Sequence, residues 1–550
     1  MRVLRLTDTR TRRQEDIAPS RGRTLTLYAC GPTVYRSQHV GNLRTFVLGD
    51  LITRAGEVLH GWQTRLVQNI TDVGHLADDT GIELAGEDKM LLAAREQGRD
   101  PFEIARHYEA EFRTDCDRLN IRPAERYPRA SECIDLMVDL IATLIDKGHA
   151  YVGDDQTVYF DARSFPSYGA ISGNRLEDLR AGHRQDAAEL TAGKRFHADW
   201  ALWKHAGAQR QMVWDTPWGR GFPGWHIECS AMSLHYLGET FDVHTGGIDL
   251  RFPHHEDERA QSECAVGHEV VRRWVHGEHL LAEGRKMAKS TGNVVLVDDV
   301  VARGHDPLAV RLFYLTGRYR QQMNLGWDTL EAADKTLRRW RERVASWACS
   351  PSAVMPSRYT DAVTAAFDND LDTATGLRTL RALERDESVP PGARFEAFAH
   401  LDQLLGLDLA RDVGKPTMAP RLPEGAAALL EARARAREAR DWAGSDRLRD
   451  ELAGMGVTVT DTPEGQSWTV RLRPTPPHRA EGVAASASDP GRHLGTGTRP
   501  GSTSSSPAKN GATSWRPRKV TFSAISWLSR RPISAMASAA MSDAGWDNAR

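Results

Sequence analysis

The sequence has few cysteines, almost no net charge and no long apolar run. Its six cysteines in 550 residues are irregularly spaced, which argues against a disulfide framework and favours a reducing compartment. The formal net charge is −2, so any nucleic-acid surface must be local. No stretch approaches the roughly 18 apolar residues of a membrane span, and the N-terminus lacks the apolar core of a signal peptide. These absences predict a cytoplasmic protein without a membrane partner, and the length predicts two to four domains.

An α/β domain is predicted in the N-terminal part of the chain. The run "TLTLYAC" at 24–30 is typical of a buried strand, residues 39–61 have helical spacing, and "QTRLVQNITD" is typical of a second strand. A strand, a glycine turn, a helix and a strand form a βαβ unit, which begins a parallel sheet. Residues 99–150 have helical periodicity, and residues 151–220 are rich in turns, as expected of an insertion between sheet halves. Strand-like runs return at "FDVHTGG" and "WVHGEHLL".

The C-terminal part is predicted to be helical, with a small hairpin unit and a tail. Helical patterns begin at about residue 329, break at the proline-rich 416–423 and return at 425–452, before a hairpin-like "GMGVTVTDTPEGQSWTVR". Residues 474–550 are rich in Ser, Gly, Pro and Ala and hold ten Lys or Arg against four Asp or Glu. This composition predicts disorder, and we expect a non-functional extension rather than an RNA-binding arm.

The segment "YACGPTVYRSQHVGNLRT" joins the first strand to the first helix. A helix N-terminus offers free N–H groups and a positive dipole end, which favour phosphate. Gly41 would let a flat base approach the backbone, and His39 could donate to a phosphate oxygen. Cys30 is a candidate metal ligand, although a small buried hydrophobe is the ordinary role of a cysteine. Alone, the segment leaves a zinc ligand, a phosphate cradle and a plain turn open.

A lysine-bearing loop and a group of possible ligands lie far downstream. In "GRKMAKSTGN", Lys286 and Lys289 are three apart between glycines. A loop of this kind could close two ammonium groups over a polyphosphate, or be an ordinary solvated basic loop. The strings "PGWHIECSAM" and "FPHHEDE" offer further candidate metal ligands, which are Cys229, His254, His255, Glu256 and Glu258. His254 and Glu258 are one helical turn apart and can face one point, but such a pair is commonly an ordinary surface pair.

The motifs together resemble a known family. "HVGN", followed 247 residues later by "KMAKS", resembles the paired HIGH and KMSKS signatures of class I aminoacyl-tRNA synthetases. The ordered strings "YACGPTVY…HVGN", "NITDV", "PGWHIECSAM", "HTGGIDLRFPHHEDE" and "KMAKSTGN" resemble cysteinyl-tRNA synthetases, over most of residues 20–473. The resemblance implies an α/β, Rossmann-like parallel-sheet catalytic domain with an insertion, then an α-helical anticodon-binding region and the disordered tail.

The resemblance also implies domain bounds and a metal site. We expect a catalytic domain at 1–328 (insertion roughly 100–220, mobile-loop and stem-contact part roughly 275–328), a helical tRNA- and anticodon-binding bundle at 329–420, a helix–hairpin unit at 421–473 and the tail at 474–550. The implied ligands of one zinc ion are Cys30, Cys229, His254 and Glu258, with His255 and Glu256 as structural neighbours. Zinc prefers a soft thiolate to a hydroxyl, so it would bind the thiolate of the substrate cysteine.

The implied activity is a two-step reaction. L-Cysteine and Mg-ATP would form cysteinyl-adenylate, and the cysteinyl group would pass to the terminal ribose of tRNA(Cys), by positioning and charge stabilisation. Residues matching the family's amino-acid site are Cys30, Gly31, Thr71, Trp225 and His244. Residues matching its ATP site are His39, Gly41, Asn42, Asp249, Lys286 and Lys289, of which His39, Asn42 and the two lysines are the expected catalytic residues. We expect a monomer, as is typical of the family.

The chain departs from the family pattern at several positions. Asn42 replaces the last His of HIGH, and Ala288 replaces the Ser of KMSKS. The run "TDVGHLADD" replaces a more acidic one. We expect these changes to alter rate or ATP affinity rather than abolish activity, because none touches the proposed metal ligands. Two alternatives remain: a cysteine:amino-sugar ligase of the same lineage, as in mycothiol synthesis, and a non-catalytic zinc-dependent RNA-binding paralogue.

Overall fold

A computed structural model describes residues 2–74, 88–176, 193–207, 210–287, 292–415, 422–423, 425–462 and 465–470. The predicted tail, Lys289, Ala288 and most of the "TDVGHLADD" run lie outside these residues. Within the described ranges, no helix combines the length and the apolar character that crossing a membrane requires.

The strands and helices are numbered in chain order. The strands are β1 (Leu4–Asp8), β2 (Arg13–Ile17), β3 (Thr24–Ala29), β4 (Gln63–Gln68), β5 (Ala150–Val152), β6 (Val158–Phe160), β7 (Trp200–His205), β8 (Trp214–Thr216), β9 (Gly219–Pro223), β10 (Phe241–Gly247), β11 (Val271–Gly277), β12 (Leu280–Ala282), β13 (Arg285–Lys286), β14 (Met323–Leu325), β15 (Val457–Thr462) and β16 (Gly465–Val470). The helices are α1 (Val40–His60), α2 (Lys89–Gln97), α3 (Pro101–Arg118), α4 (Ile134–Asp146), α5 (Trp225–Leu237), α6 (His254–Val266), α7 (Val297–Ala302), α8 (Pro307–Leu315), α9 (Trp327–Trp347), α10 (Ser357–Asp368), α11 (Thr373–Arg385), α12 (Pro391–Leu405), α13 (Ala426–Glu438) and α14 (Trp442–Gly454).

A four-stranded parallel sheet, in the order β11–β10–β3–β4, positions the functional residues. Tyr28 of β3 pairs with His244 of β10 on one side and with Val67 of β4 on the other. Every residue of β10 is buried, as expected of a parallel sheet with both faces covered. The strand order reverses between β3 and β10, and ligands of such sheets bind beyond the carboxyl ends of the strands at this reversal. The predicted Rossmann-like fold is confirmed.

Helix α1 follows β3 and covers the sheet. His39 is its N-cap, and Gly61 ends it in the left-handed conformation with φ +61°, which glycine adopts without a steric penalty. All residues of α1 from Leu43 to Gly56 are buried except Thr45. The helix predicted over 39–61 therefore has the predicted ends, because the capping residues at both termini are local signals.

The predicted insertion contains a second sheet. Its five antiparallel strands lie in the order β5–β6–β7–β9–β8. Residues 99–150, predicted to be helical throughout, instead form α3 and α4 with a largely non-helical stretch between them. The reason is tertiary: Arg126 and Arg129 form parallel bridges with Val67 and Ile70 at and just beyond the end of β4.

The single strand-like run "WVHGEHLL" is divided between two sheets. Strand β11 ends at Gly277, and β12 joins β13 and β14 in a separate three-stranded sheet. The carbonyl groups of Glu278 and His279, between the two strands, accept hydrogen bonds from the Arg44 side chain. The break is therefore stabilised by a side chain of α1 that sequence periodicity does not reveal.

From α9 to α14, the described part of the chain is helical, as predicted. Helices α9 and α12 pack through Trp340, Trp347 and Phe398, whose rings meet edge to face. Beyond the proline-rich segment, the predicted single helical unit consists of α13 and α14, separated because Asp441 caps a new helix by accepting from the Gly444 N–H. The predicted hairpin is the antiparallel pair β15–β16. Arg433 of α13 is buried and donates to Asp461 of β15 at 2.9 Å.

Candidate active site and metal centre

Four buried side chains converge beyond the carboxyl end of β3. Cys30 directly follows β3, Cys229 lies in α5, and His254 and Glu258 occupy successive turns at the start of α6. The two sulfur atoms are 3.7 Å apart, and Cys30 Sγ lies 3.5 Å from Glu258 Oε1. His254 Nε2 lies 3.0 Å from the same carboxylate oxygen. The structure thus brings together residues that are as many as 228 positions apart in the sequence.

This set of side chains fits a zinc ion. One ligand atom from each of the four residues lies within 4.8 Å of all the others, and all four residues are buried. Two sulfur atoms, an imidazole nitrogen and a carboxylate oxygen are the donor types that zinc takes, commonly four at a time. We expect Cys30, Cys229, His254 and Glu258 to be able to hold the ion without a large rearrangement.

Burial and the contacts within the cluster shift the pKa values of its four side chains. Burial would raise the pKa of Glu258, but the His244 and His254 imidazoles lower it to about 2. Burial would lower the pKa of His254, but Glu258 and Cys229 raise it to about 10. Burial and the neighbouring Cys229 raise the pKa of Cys30 well above its usual value, whereas the pKa of Cys229 is lowered to about 7, because hydrogen bonds from Cys30 and His254 outweigh burial. Glu258 is therefore an anionic ligand, and a divalent ion that binds here would displace the protons of the Cys30 thiol and the His254 imidazole.

Further histidines surround the four ligands. His255 Nε2 lies 3.3 Å from Cys30 Sγ, and His244 Nε2 lies 3.0 Å from Glu258 Oε2. Cys30, His244, His255 and Glu258 therefore form a second group with metal-ligand spacing. His226 contacts His254 through their Nδ1 atoms at 2.7 Å. Sequence reasoning left His255 as a structural neighbour and missed His226, because these contacts depend on how β10, α5 and α6 pack.

The residues predicted to contact the amino acid lie around this cluster. Trp225 stacks on His254 with a centroid distance of 4.1 Å. The Thr71 main chain is bridged to Thr33, and its hydroxyl accepts from Asn69 Nδ2 at 3.0 Å. Gly31 donates its N–H to Asn69 Oδ1 at 2.8 Å, and a Cβ at Gly31 would stand 1.6 Å from the Asn69 carbonyl oxygen. Glycine is therefore required there by a close main-chain approach.

A polar cavity of about 70 Å³ adjoins the start of α1. Its lining includes every predicted ATP-site residue within the described ranges, which are His39, Gly41, Asn42, Asp249 and Lys286. The other lining residues were not predicted from the sequence; they are Thr45, Gly247, Gly277, Glu278, His279, Leu280 and Met287. Asp249 lies in a short 3-10 turn directly after β10. The cavity therefore occupies the crevice where the strand order reverses, next to the metal cluster. Lys289 lies outside the described residues.

The first turn of α1 shapes one side of this cavity. His39 Nδ1 accepts the Asn42 N–H at 3.2 Å, which leaves Nε2 as the protonated nitrogen of a neutral ring. Burial and the positive charge of Arg36 lower the pKa of His39 to about 4. A Cβ at Gly41 would lie 2.9 Å from His39 Nδ1, so glycine keeps the capping ring in place. The Asn42 side chain donates to Gln38 Oε1 at 2.9 Å.

The comparisons with known proteins agree with this geometry. The family model "tRNA synthetases class I (C) catalytic domain" matches residues 16–335, and "Cysteinyl-tRNA ligase anticodon binding domain" matches residues 419–468. The chain is 42% identical over 481 residues to a cysteine–tRNA ligase of Thermus thermophilus, and the match covers 84% of this chain and 98% of that protein.

The chain belongs to the cysteinyl-tRNA ligase family.

Another cysteine–tRNA ligase matches a similar share of the chain, and a solved structure shares its fold. The cysteine–tRNA ligase of Salinibacter ruber is 39% identical over 514 residues, covering 85% of this chain and 98% of that protein. Among solved structures, the LeuRS–tRNA–LeuAMS complex of Agrobacterium radiobacter K84 superposes with a TM-score of 0.50 at 11% identity, covering 71% of this chain and 84% of that one. The structural likeness bears on the fold alone, whereas the sequence relatives carry the family.

Proposed function

We propose that this chain is a cysteine–tRNA ligase, which activates L-cysteine with ATP and esterifies the terminal ribose of tRNA(Cys). The observation that carries the proposal is the adjacency of two sites. A thiol-, imidazole- and carboxylate-lined cluster that includes Cys30 and a polar cavity that includes His39 lie at the carboxyl end of one parallel sheet, where Gly246 adjoins His255 of the cluster and Gly247 lines the cavity. An amino acid held by the cluster and a nucleotide in the cavity would bring their reacting atoms together there.

Recognition of the substrate side chain is assigned to the metal cluster. Cys30, Cys229, His254 and Glu258 would hold one zinc ion, which when bound supplies a soft Lewis acid that prefers a thiolate to a hydroxyl. An apolar pocket alone separates such similar side chains by only about 10- to 200-fold. Trp225 and His244, which pack against His254 and Glu258, orient the ligands and close the site around the amino acid.

In the first step, the cysteine carboxylate attacks the α-phosphorus of ATP, and the bond to the bridging oxygen breaks to release pyrophosphate. Magnesium would enter with the nucleotide as its counter-ion. His39 would donate its Nε2 proton to a phosphate oxygen, and the ammonium groups of Lys286 and Lys289 would stabilise the charge that develops on the leaving pyrophosphate. Asp249, directly after β10, and Gly41 would contact the nucleoside part of ATP.

In the second step, a terminal ribose hydroxyl of tRNA(Cys) attacks the acyl carbon and AMP leaves. We assign tRNA binding to the helical bundle at 329–420 and the helix–hairpin unit at 421–473, following the catalytic domain at 1–328. The match of the anticodon-binding model to residues 419–468 supports the assignment of the helix–hairpin unit. We further propose that the enzyme acts as a monomer in the cytoplasm.

Two assays test the proposed function. The zinc-replete protein is expected to exchange pyrophosphate into ATP only when cysteine is present, and then to charge tRNA(Cys). Absence of exchange would contradict the ligase proposal and favour a non-catalytic RNA-binding role. Exchange with ligation to an amino-sugar, but no charging of tRNA, would favour the amino-sugar ligase instead. Serine is the matched control substrate, and exchange with serine at the cysteine rate would contradict selection through zinc.

A further inference from the structure

Arg44 of α1 is a buried arginine that forms its hydrogen bonds with main-chain carbonyl groups. Its side chain donates to five of them, at distances from 2.8 to 3.4 Å: Glu278, His279, Arg318, Tyr319 and Gln321. The residue is 5% exposed, and among the described residues no carboxylate forms an ion pair with it. Burial lowers its pKa only to about 10, so the guanidinium keeps its charge at neutral pH.

The five carbonyl groups belong to two segments that meet behind the nucleotide cavity. Glu278 and His279, with Leu280, line the same cavity as the first turn of α1. The second segment, 318–321, lies behind them, and the Glu278 N–H donates to the Tyr319 carbonyl at 2.8 Å. Arg44 itself does not line the cavity. It joins the helix that His39 caps to the segment Glu278–Leu280, which lines the same cavity as His39.

The second segment is also held by the helical part of the chain. The Tyr319 hydroxyl and Arg320 Nε each lie 2.5 Å from the Asp370 carboxylate, and Arg318 donates to Asp372 at 2.5 Å. These aspartates stand between α10 and α11. The segment 318–321 is therefore fixed from both sides, by α1 and by the helical bundle.

We propose that Arg44 is a positioning residue for ATP, which sets the distance between the first turn of α1 and the Glu278–Leu280 wall. This inference rests on the proposed function, because it assigns the cavity to the nucleotide. The guanidinium is suited to the task since its planar fork of donors can satisfy several carbonyl groups at once. A lysine has one nitrogen with three donors, so it would leave some of these buried carbonyl groups unsatisfied, and the two segments would separate.

The test compares Arg44→Lys with Arg54→Lys. Arg54 lies further along the same helix, is also buried, and donates to the Gln403 and Asn120 carbonyls and to Asp50, but it is remote from the cavity lining. Both variants are expected to lose thermal stability. Only Arg44→Lys is expected to raise the KM for ATP in cysteine-dependent pyrophosphate exchange, by roughly tenfold or more, with the KM for cysteine within about twofold of wild type.

An unchanged KM for ATP in Arg44→Lys, or an equal rise in Arg54→Lys, would overturn the proposal. Calorimetric binding of a non-hydrolysable ATP analogue provides a readout that does not require catalysis. A wild-type protein that binds the analogue but catalyses no exchange would contradict the proposed function, while the affinities of the two variants would still decide the role of Arg44. If Arg44→Lys does not fold, Tyr319→Phe removes the hydroxyl that donates to Asp370 and accepts the Thr7 N–H, and analogue affinity equal to wild type would overturn the proposal.

Discussion

His39 has two roles that can be separated by substitution. Its Nδ1 accepts the Asn42 N–H and caps α1, and in the proposed reaction its Nε2 donates to a phosphate oxygen. His39→Ala removes both contacts. His39→Asn keeps a side-chain oxygen that is well suited to capping a helix, but its amide does not reach as far from the main chain as Nε2. We therefore expect the two variants to differ in stability but to lose the rate of pyrophosphate exchange to the same extent.

The expected magnitudes follow from these contacts. Loss of an N-cap costs about 1 kcal/mol of stability, which corresponds to roughly 2–4 °C in the melting temperature of a domain of this size. Loss of a donor that acts in the transition state costs roughly 100- to 1,000-fold in kcat. We expect both variants to lose kcat to this extent in pyrophosphate exchange, and only His39→Ala to lose the stability of the cap.

A matched control is available at another helix. Asp100 caps α3 by accepting the Phe102 N–H at 2.9 Å, so Asp100→Ala should reproduce the loss of stability without any loss of exchange rate. A kcat of His39→Asn within about threefold of wild type would refute the phosphate-donor role. Equal melting temperatures for His39→Ala and His39→Asn would refute the capping role.

The pH dependence supplies an independent check. The pKa of His39, about 4, lies below its usual value of 6.5, so the folded protein disfavours the protonated ring. The stabilising contribution of the neutral ring is complete above pH 6.5 and is lost as the pH falls towards 4. The ratio of wild-type to His39→Asn exchange rates should therefore stay constant between about pH 5.5 and 8. A ratio that changes with an apparent pKa near 6.5 would show that the ring titrates there and acts in its charged form.

Three further predictions concern the metal cluster, the cavity and the tail. Cys229→Ser, with its zinc content restored, should raise the KM for cysteine far more than the KM for ATP in pyrophosphate exchange; equal rises would contradict thiol recognition at the cluster. Gly41→Ala should raise the KM for ATP, because the new Cβ would displace the His39 ring, whereas Gly207→Ala, where a Cβ meets nothing within 4 Å, should not. A chain that ends at residue 473 should charge tRNA(Cys) at the full rate, and a slower rate would assign a role to 474–550.

The parts of the fold that local signals specify were predictable. Strand β3, helix α1 and strand β4 follow from a buried apolar run, capping residues at His39 and Gly61, and a second apolar run. The pairing of His254 with Glu258 follows from their spacing of one helical turn. The resemblance to a known family then linked these two residues to Cys30 and Cys229, which spacing alone could not do.

The parts that depend on tertiary packing were not predictable. His255 approaches Cys30, and His226 approaches His254, because α5 and α6 pack together beyond the carboxyl end of β3. The stretch between α3 and α4 loses its helical form because it pairs with residues near the end of β4. The role of Arg44 depends on carbonyl groups as many as 277 residues further along the chain. Every residue has a main-chain carbonyl group, so the sequence does not reveal which of them accept a hydrogen bond.

The distance along the chain between the metal ligands has a consequence for folding. Cys30 and Cys229 are 199 residues apart, and the pairing of β3 with β10, which brings them together, is equally non-local. Contacts of this kind form late, because a long loop must close before they stabilise anything. The chain between β3 and β10, which includes the insertion, must therefore be folded or looped out before the four ligands can meet. We expect tight zinc uptake during refolding to begin only when β3 has paired with β10. The time course of zinc uptake would therefore report when the two halves of the sheet join.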